Sequence, residues 1–286
     1  MGWGGSEVVT PVLLISLALL FAINTPIAIS IGAASLGGFL VKGEFSILMV
    51  IQRLYAGVDS FPLMAVPLFM LAGSLMESGG ISPRVVRFAE ALVGWVPGGL
   101  AAVSVVSAMF FAGISGSAAA DTAAVGSLLI PEMIRRGYDR GFASVIQASG
   151  GSLGVVIPPS IPMIIFGFLT GASVSKLFVA GILPGLLIGL SLVSVSIVVS
   201  KRHGYGGLQS FSRARLQSAL WDAKWALGAP VVILGGILGG VFTATESAAV
   251  AVLYGSFVGL AVHRELKIAH LPQILFRSMV LSSVVL

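Results

Sequence analysis

The feature that most constrains this chain is the recurrence, along its whole length, of apolar windows long enough to cross a hydrocarbon core of about 30 Å. Residues 177–200, 225–242 and 247–262 contain no charged side chain. Backbone polar groups in lipid must be satisfied inside the spanning segment, which makes such runs helical. Membrane strands would instead alternate apolar and polar residues, and no such alternation runs through the sequence. Of the 286 residues 57% are hydrophobic and only 9% charged, too little polar surface to coat a soluble globule of this size. The expected class is an all-α polytopic membrane protein.

The charges that remain sit in short connections. A formal net charge of +5 would suggest nucleic acid as a partner for a soluble protein. Here the basic residues flank apolar runs, the positive-inside pattern, so the partner is the lipid bilayer and not nucleic acid. The strongest basic stretch, KRHGYGGLQSFSRARLQSALWDAK at 201–224, is expected in the cytoplasm, and His263-Arg-Glu-Leu-Lys267 returns to the same side. The absence of cysteine excludes disulfides, thiolate metal sites and cysteine nucleophiles. The amino-terminal MGWGGSEVVT carries Glu7 and no Lys or Arg, which does not fit the basic start of a cleavable signal. The first helix is expected to be retained.

Along the chain, 11–41 is interrupted at Asn24-Thr-Pro26, predicting two short segments or one broken helix. A loop is expected over 42–60, with Lys42, Glu44, Arg53 and Asp59. An apolar segment covers 61–76, and Arg84, Arg87 and Glu90 mark an amphipathic surface piece. The last run, 278–286, has no closing polar flank, so the chain is expected to be a fragment.

Two places break the membrane pattern. In GISGSAAADT at 113–122, small residues, hydroxyls and a carboxylate lie between uncharged runs. At 150–162, Gly150-Gly-Ser-Leu-Gly154 precedes Ile157-Pro-Pro-Ser-Ile-Pro162. Non-helical backbone at membrane depth is tolerated only where it is buried in protein or lines an aqueous cavity. Broken helices in secondary transporters turn half-helix ends and unwound carbonyls toward substrates and ions. Close helix packing by small residues is the alternative for the first break. Three prolines between 158 and 162 favour a functional break for the second. Asp121 and Glu246 are the acids most closely bracketed by apolar sequence, and intramembrane acids usually face a cavity or partner. Glu246 could equally be a helix-start acid capped by Thr245.

A catalytic reading uses the same letters. Gly113-Ile-Ser-Gly116 matches the G-x-S-G of rhomboid-type intramembrane serine proteases, whose serine needs a histidine base. His203, His263 and His270 all lie in or beside basic loops, so none is placed as that base. A purely structural subunit would not need costly breaks such as 157–162. No enzymatic activity is expected.

Longer blocks carry a resemblance. SGSAAADTAAVGSLLIPEMIRRGYD, GGSLGVVIPPSIPMIIFG, SKLFVAGILPGLLIGL and VFTATESAAVAVLYG look like successive blocks of the large membrane subunit of tripartite ATP-independent periplasmic (TRAP) transporters. FPLMAVPLFMLAGSLMESGGI and LVGWVPGGLAAV resemble the family too. The resemblance implies an inverted-repeat, elevator-type fold with re-entrant helical hairpins, whose C-terminal repeat is missing here. Residues 1–224 would form the first repeat with scaffold helices, its hairpin near 100–131 and its broken helix near 150–175, and 225–286 would begin the second half. It further implies a bacterial inner-membrane permease for Na⁺-coupled uptake of an organic acid. A soluble periplasmic binding protein would deliver that acid, and a small four-helix membrane subunit would be the other partner. Na⁺ would be the coupling ion, and no cofactor is expected. Ser115, Gly116 and Ser117 would be the hairpin tip that ligates Na⁺, mainly through backbone groups. Asp121, Gly154, Pro158, Pro159, Ser160, Thr245 and Glu246 would line the substrate cavity. Two positions depart from the pattern of many relatives: Ala118 replaces a small hydroxyl residue, and Ala244 replaces a proline.

Overall fold

A computed structural model of the chain describes residues 4–43, 47–207 and 210–286, and among them every regular element is a helix. The backbone divides into two compact units, one ending at Ser60 and one covering Phe61–Leu286. The first holds α1 (Gly4–Ala22), α2 (Ile27–Lys42) and α3 (Ile47–Val58). Proline at 26 removes a backbone donor and stops one helix continuing into the next, so the run over 11–41 forms two helices. The loop expected over 42–60 is wrong for most of its length. Ile47–Val58 contains neither Gly-Pro punctuation nor a run of turn formers, and it forms a regular helix. Glu44 lies outside the described residues.

The second unit is built around α6 (Gly99–Ser115), which is buried on nearly every side, from Leu100 through Ala108 and on to Ser115. At 17 residues it reaches only about 26 Å, short of a comfortable span. A helix apolar all round belongs in the middle of a bundle. Around it pack α4 (Ala65–Ser78), α5 (Ile81–Val93), α7 (Ala118–Arg135), α8 (Arg140–Gly151) and α10 (Val174–Arg202). Its surroundings come close because glycine faces it: a Cβ on Gly150 would lie 3.3 Å from Ala108 and 3.4 Å from the Val105 backbone.

Four helices among the described residues are long and apolar enough to cross a membrane: Val174–Arg202, Arg213–Leu238, Ala244–Val262 and Ile268–Val285. They contain α10, α11 (Arg213–Leu238), α12 (Ala244–Phe257) and α13 (Leu271–Val285). On α10, Leu183, Leu187 and Leu190 are exposed while Gly181, Gly185 and Gly189 are buried. The leucines form a lipid-compatible face and the glycines a close-packing one. The protein is therefore multi-pass. The basic stretch 201–224 is not all loop, since α11 begins at Arg213; Leu208 and Gln209 lie outside the described residues.

An ion network ties the polar ends together. Arg84 reaches Glu265 at 2.7 Å and Asp222 at 3.6 Å, and Arg87 reaches Asp222 at 2.8 Å. Thus α5, α11 and the 263–267 connection share one cluster.

Candidate functional site

The helices α6 and α7 form a hairpin whose tip is Gly116-Ser117. Gly116 sits in the left-handed region at φ +64°, which reverses the chain after α6. Ser117 then caps α7: its hydroxyl accepts from the Ala120 N–H at 3.4 Å. The second break faces this tip. Helix α8 runs into a 3₁₀ turn at Ser152–Val155, and α9 (Ile161–Thr170) starts after the Pro158-Pro159 stretch. Ser160 closes the gap, donating to the Val155 carbonyl at 2.6 Å and accepting from the Met163 N–H at 3.5 Å.

Tip and break touch through the backbone. The Ile161 N–H donates to the Gly116 carbonyl at 3.2 Å. A Cβ on Gly116 would lie 2.6 Å from the Pro159 carbonyl oxygen, and one on Gly154 would collide with Asp121 Oδ2. The sites around 115–117, Asp121, Gly154, Pro158, Pro159 and Ser160 therefore form one locus.

Asp121 is its charged member and is fully buried. The Ser115 hydroxyl donates to Oδ1, while Oδ2 has no hydrogen-bond partner. An oxygen of this kind, removed from water and left unpaired, is costly to keep. A cation placed against it would offset that cost. Among the described residues no group of three or more His, Asp or Glu could hold a metal ion. Any cation here would be held by one carboxylate with hydroxyl and carbonyl oxygens, a donor set that suits a hard ion such as Na⁺.

Gln147 on α8, absent from the sequence-based set, holds the hairpin from behind. It is fully buried. Its Oε1 accepts from the Ser104 hydroxyl of α6, and its Nε2 donates to the Asp121 and Thr122 carbonyls at 3.4 and 3.3 Å. A lone amide in an apolar segment was the available signal. A cavity of about 200 Å³ opens beside the tip, and Ser115, Ser117, Asp121, Glu77 and Arg277 are among the residues that line it. Neither Glu77 nor Arg277 stood out in the sequence, because each closes or punctuates an apolar run.

Thr245 and Glu246 are not brought to the tip by any hydrogen bond. Glu246 is exposed and folds into a capping box with Thr243, receiving the Thr243 N–H at 2.8 Å and returning its own N–H to the Thr243 hydroxyl at 3.2 Å. The cap is thus Thr243, not Thr245. The Thr245 hydroxyl is used elsewhere, donating to the Phe61 carbonyl at 3.0 Å.

The hydroxyl of Ser115 bonds Asp121 and, at 3.5 Å, the Ser117 carbonyl, with no histidine among its partners. His203 Nδ1 lies 2.9 Å from the Val199 carbonyl and His263 Nδ1 2.8 Å from that of Gly79. The serine-protease arrangement is absent among the described residues.

Comparison with known proteins bears on the same region. Residues 14–286 match the family described as "Tripartite ATP-independent periplasmic transporter, DctM component". The isethionate TRAP transporter permease protein DctMQ of Oleidesulfovibrio alaskensis is 46% identical over 257 residues, covering 90% of this chain and 40% of that protein. The C4-dicarboxylate TRAP transporter large permease protein DctM of Vibrio cholerae is 41% identical, covering 85% of this chain and 54% of its own. The 2,3-diketo-L-gulonate TRAP transporter large permease protein YiaN of Escherichia coli is 41% identical, covering 93% and 62%. The chain spans between 40% and 62% of the length of these relatives.

Proposed function

Because the chain belongs to the DctM component family of tripartite ATP-independent periplasmic transporters, we propose that it forms part of the permease of a Na⁺-coupled secondary transporter for organic acids, with the first repeat over 1–224 and the start of the second half over 225–286. In this reading the fold is an inverted repeat whose transport domain moves as an elevator. The permease sits in the bacterial inner membrane with 201–224 on the cytoplasmic side. It works with a small four-helix membrane subunit and a periplasmic binding protein that presents the substrate. The names of the relatives above refer to isethionate, C4-dicarboxylates and 2,3-diketo-L-gulonate. All are organic anions, which supports that substrate class without selecting a member.

The single observation that carries this reading is the unpartnered Asp121 Oδ2, buried where the Gly116 tip meets the 154–160 break. Na⁺ bound there would be held by Asp121 and by the hydroxyl and carbonyl groups of 115–117. It would neutralise the carboxylate and fix the spacing between tip and break. Coupling follows if the substrate anion binds only when that geometry is set, since a ligand shifts an equilibrium only through its differential affinity for the two states.

The test is uptake by the complete transporter in proteoliposomes, with and without a Na⁺ gradient. Uptake that follows Na⁺ in the native protein and loses that dependence in Asp121→Asn supports the reading. Uptake indifferent to Na⁺ in the native protein overturns it.

A further inference from the structure

A second cavity, of about 660 Å³, lies between α5, the end of α7 and the first turns of α11, and shares no lining residue with the one beside Asp121. Its charged residues are Arg87, Glu90, Arg136, Arg215 and Asp222. Three of these are already neutralised: Arg87 pairs with Asp222 at 2.8 Å, and Arg136 pairs with Glu132 at 2.8 Å. Two are not. Among the described residues the Glu90 carboxylate and the Arg215 guanidinium have no ion pair or side-chain hydrogen bond, and they do not pair with each other. Burial lifts the Glu90 carboxyl above its ordinary range and outweighs the opposing field of the Arg136 and Arg215 guanidiniums, neither of which approaches to ion-pair distance.

An unpaired anion and an unpaired cation on the walls of one cavity are complementary to a zwitterion. The surroundings indicate where such a ligand would come from. Trp95, Phe211 and Trp221 line the same cavity; Trp221 is largely exposed, and Trp95, Phe211 and the neighbouring Leu220 on α11 are about half exposed. Tryptophan at a polar boundary with apolar helix beyond it marks the headgroup level of a bilayer. The cavity lies at the end of α10 and α11 that carries the basic stretch, where a lipid would present its headgroup with its chains along α11.

We propose that this cavity binds the headgroup of a zwitterionic phospholipid of the phosphatidylethanolamine class, with the phosphate on Arg215 and the ammonium on Glu90. The planar guanidinium fork suits phosphate oxygens, and the primary ammonium can donate to the carboxylate while lying near the Trp95 ring. Phosphatidylglycerol has no ammonium and would leave Glu90 facing an uncharged glycerol, its charge unmatched. Phosphatidylcholine has a cation without N–H donors. The volume falls in the range of small-molecule sites.

The experiment uses the complete transporter, stripped of lipid in detergent and offered mixed micelles of phosphatidylethanolamine, phosphatidylglycerol or phosphatidylcholine, with retained lipid read by native mass spectrometry. Phosphatidylethanolamine is expected to be retained over both others. Glu90→Gln should cut its advantage over phosphatidylglycerol by about tenfold, and Arg215→Gln should weaken both by about tenfold. Arg202→Gln, outside the cavity lining, should change neither. If Arg215→Gln fails to fold, Arg215→Lys keeps the charge without the fork and should show a smaller loss. Free phosphoethanolamine should compete, but only at far higher concentration than the lipid. Equal retention of the three lipids by the native protein overturns the proposal, as does an intact preference in both cavity variants. Binding of phosphoethanolamine without retention of the lipid also overturns it, and identifies a soluble zwitterion as the occupant.

Discussion

The hydroxyl of Ser115, the last residue of α6, donates to the carboxylate of Asp121 in the first turn of α7 across the hairpin tip, and the second carboxylate oxygen is left buried and unpartnered. One carboxylate oxygen is therefore paired inside the hairpin, and the other carries its charge with no hydrogen bond. An amide at the same place could keep the hydrogen bond with Ser115 and carry no charge. Asp121→Asn is expected to keep or raise the thermal midpoint in the absence of Na⁺, because an uncompensated buried charge has been removed. The same variant should lose the Na⁺-induced rise in that midpoint and need at least about tenfold more Na⁺ for half-maximal uptake. Differential scanning fluorimetry across a Na⁺ series reads both.

Gly116 and Ser115 should differ in severity. Gly116→Val must place a branched side chain at φ +64° and against the Pro159 carbonyl. Backbone strain alone is worth about 1–3 kcal/mol. Ser115→Ala removes one hydroxyl and leaves the carbonyls in place, so its Na⁺ response should shift less. A serine nucleophile would invert that order. Uptake normalised to protein in the membrane, titrated with Na⁺, decides between them.

Gln147→Leu should act at a distance from any bound ion. It strands the Ser104 hydroxyl and frees two carbonyls of α7, a loss of roughly 1–3 kcal/mol. A lowered thermal midpoint with a modest change in Na⁺ affinity is expected. An unchanged midpoint would show that the amide does not brace the hairpin.

Thr243→Ala should weaken the start of α12 by about 1 kcal/mol, the usual value of an N-cap. Glu246→Gln, at the same exposed capping box, should leave the Na⁺ concentration for half-maximal uptake unchanged. A shifted Na⁺ response in Glu246→Gln would return that residue to the transport site.

A cysteine at Ser210 should be shielded from an impermeant thiol reagent in intact cells and labelled after permeabilisation. The basic residues Lys201, Arg202, Arg213, Arg215 and Lys224 outnumber Asp222 in this stretch, which favours the cytoplasmic side. Ready labelling of intact cells would reverse the topology.

The sequence by itself determined that the chain is helical, lives in a membrane, and is interrupted at 115–117 and 157–162. Those features depend on apolar run length, on glycine and proline, and on the position of charges, all local along the chain. It also favoured Asp121 over Glu246, because the acid at 246 stood at a turn with threonines beside it. Only the tertiary structure decided that the two interruptions meet, that Gly154 makes room for the Asp121 carboxylate, and that Gln147 braces the hairpin. These pairings join residues some 25 to 45 positions apart, and no periodicity or motif records which helix faces which. The helix at Ile47–Val58 eluded the sequence reading for the opposite reason: scattered charges suggested a loop, yet nothing in that stretch breaks a helix. Packing chooses among partners that local chemistry merely makes available, because burial is shared between elements and cannot be assigned to either one alone.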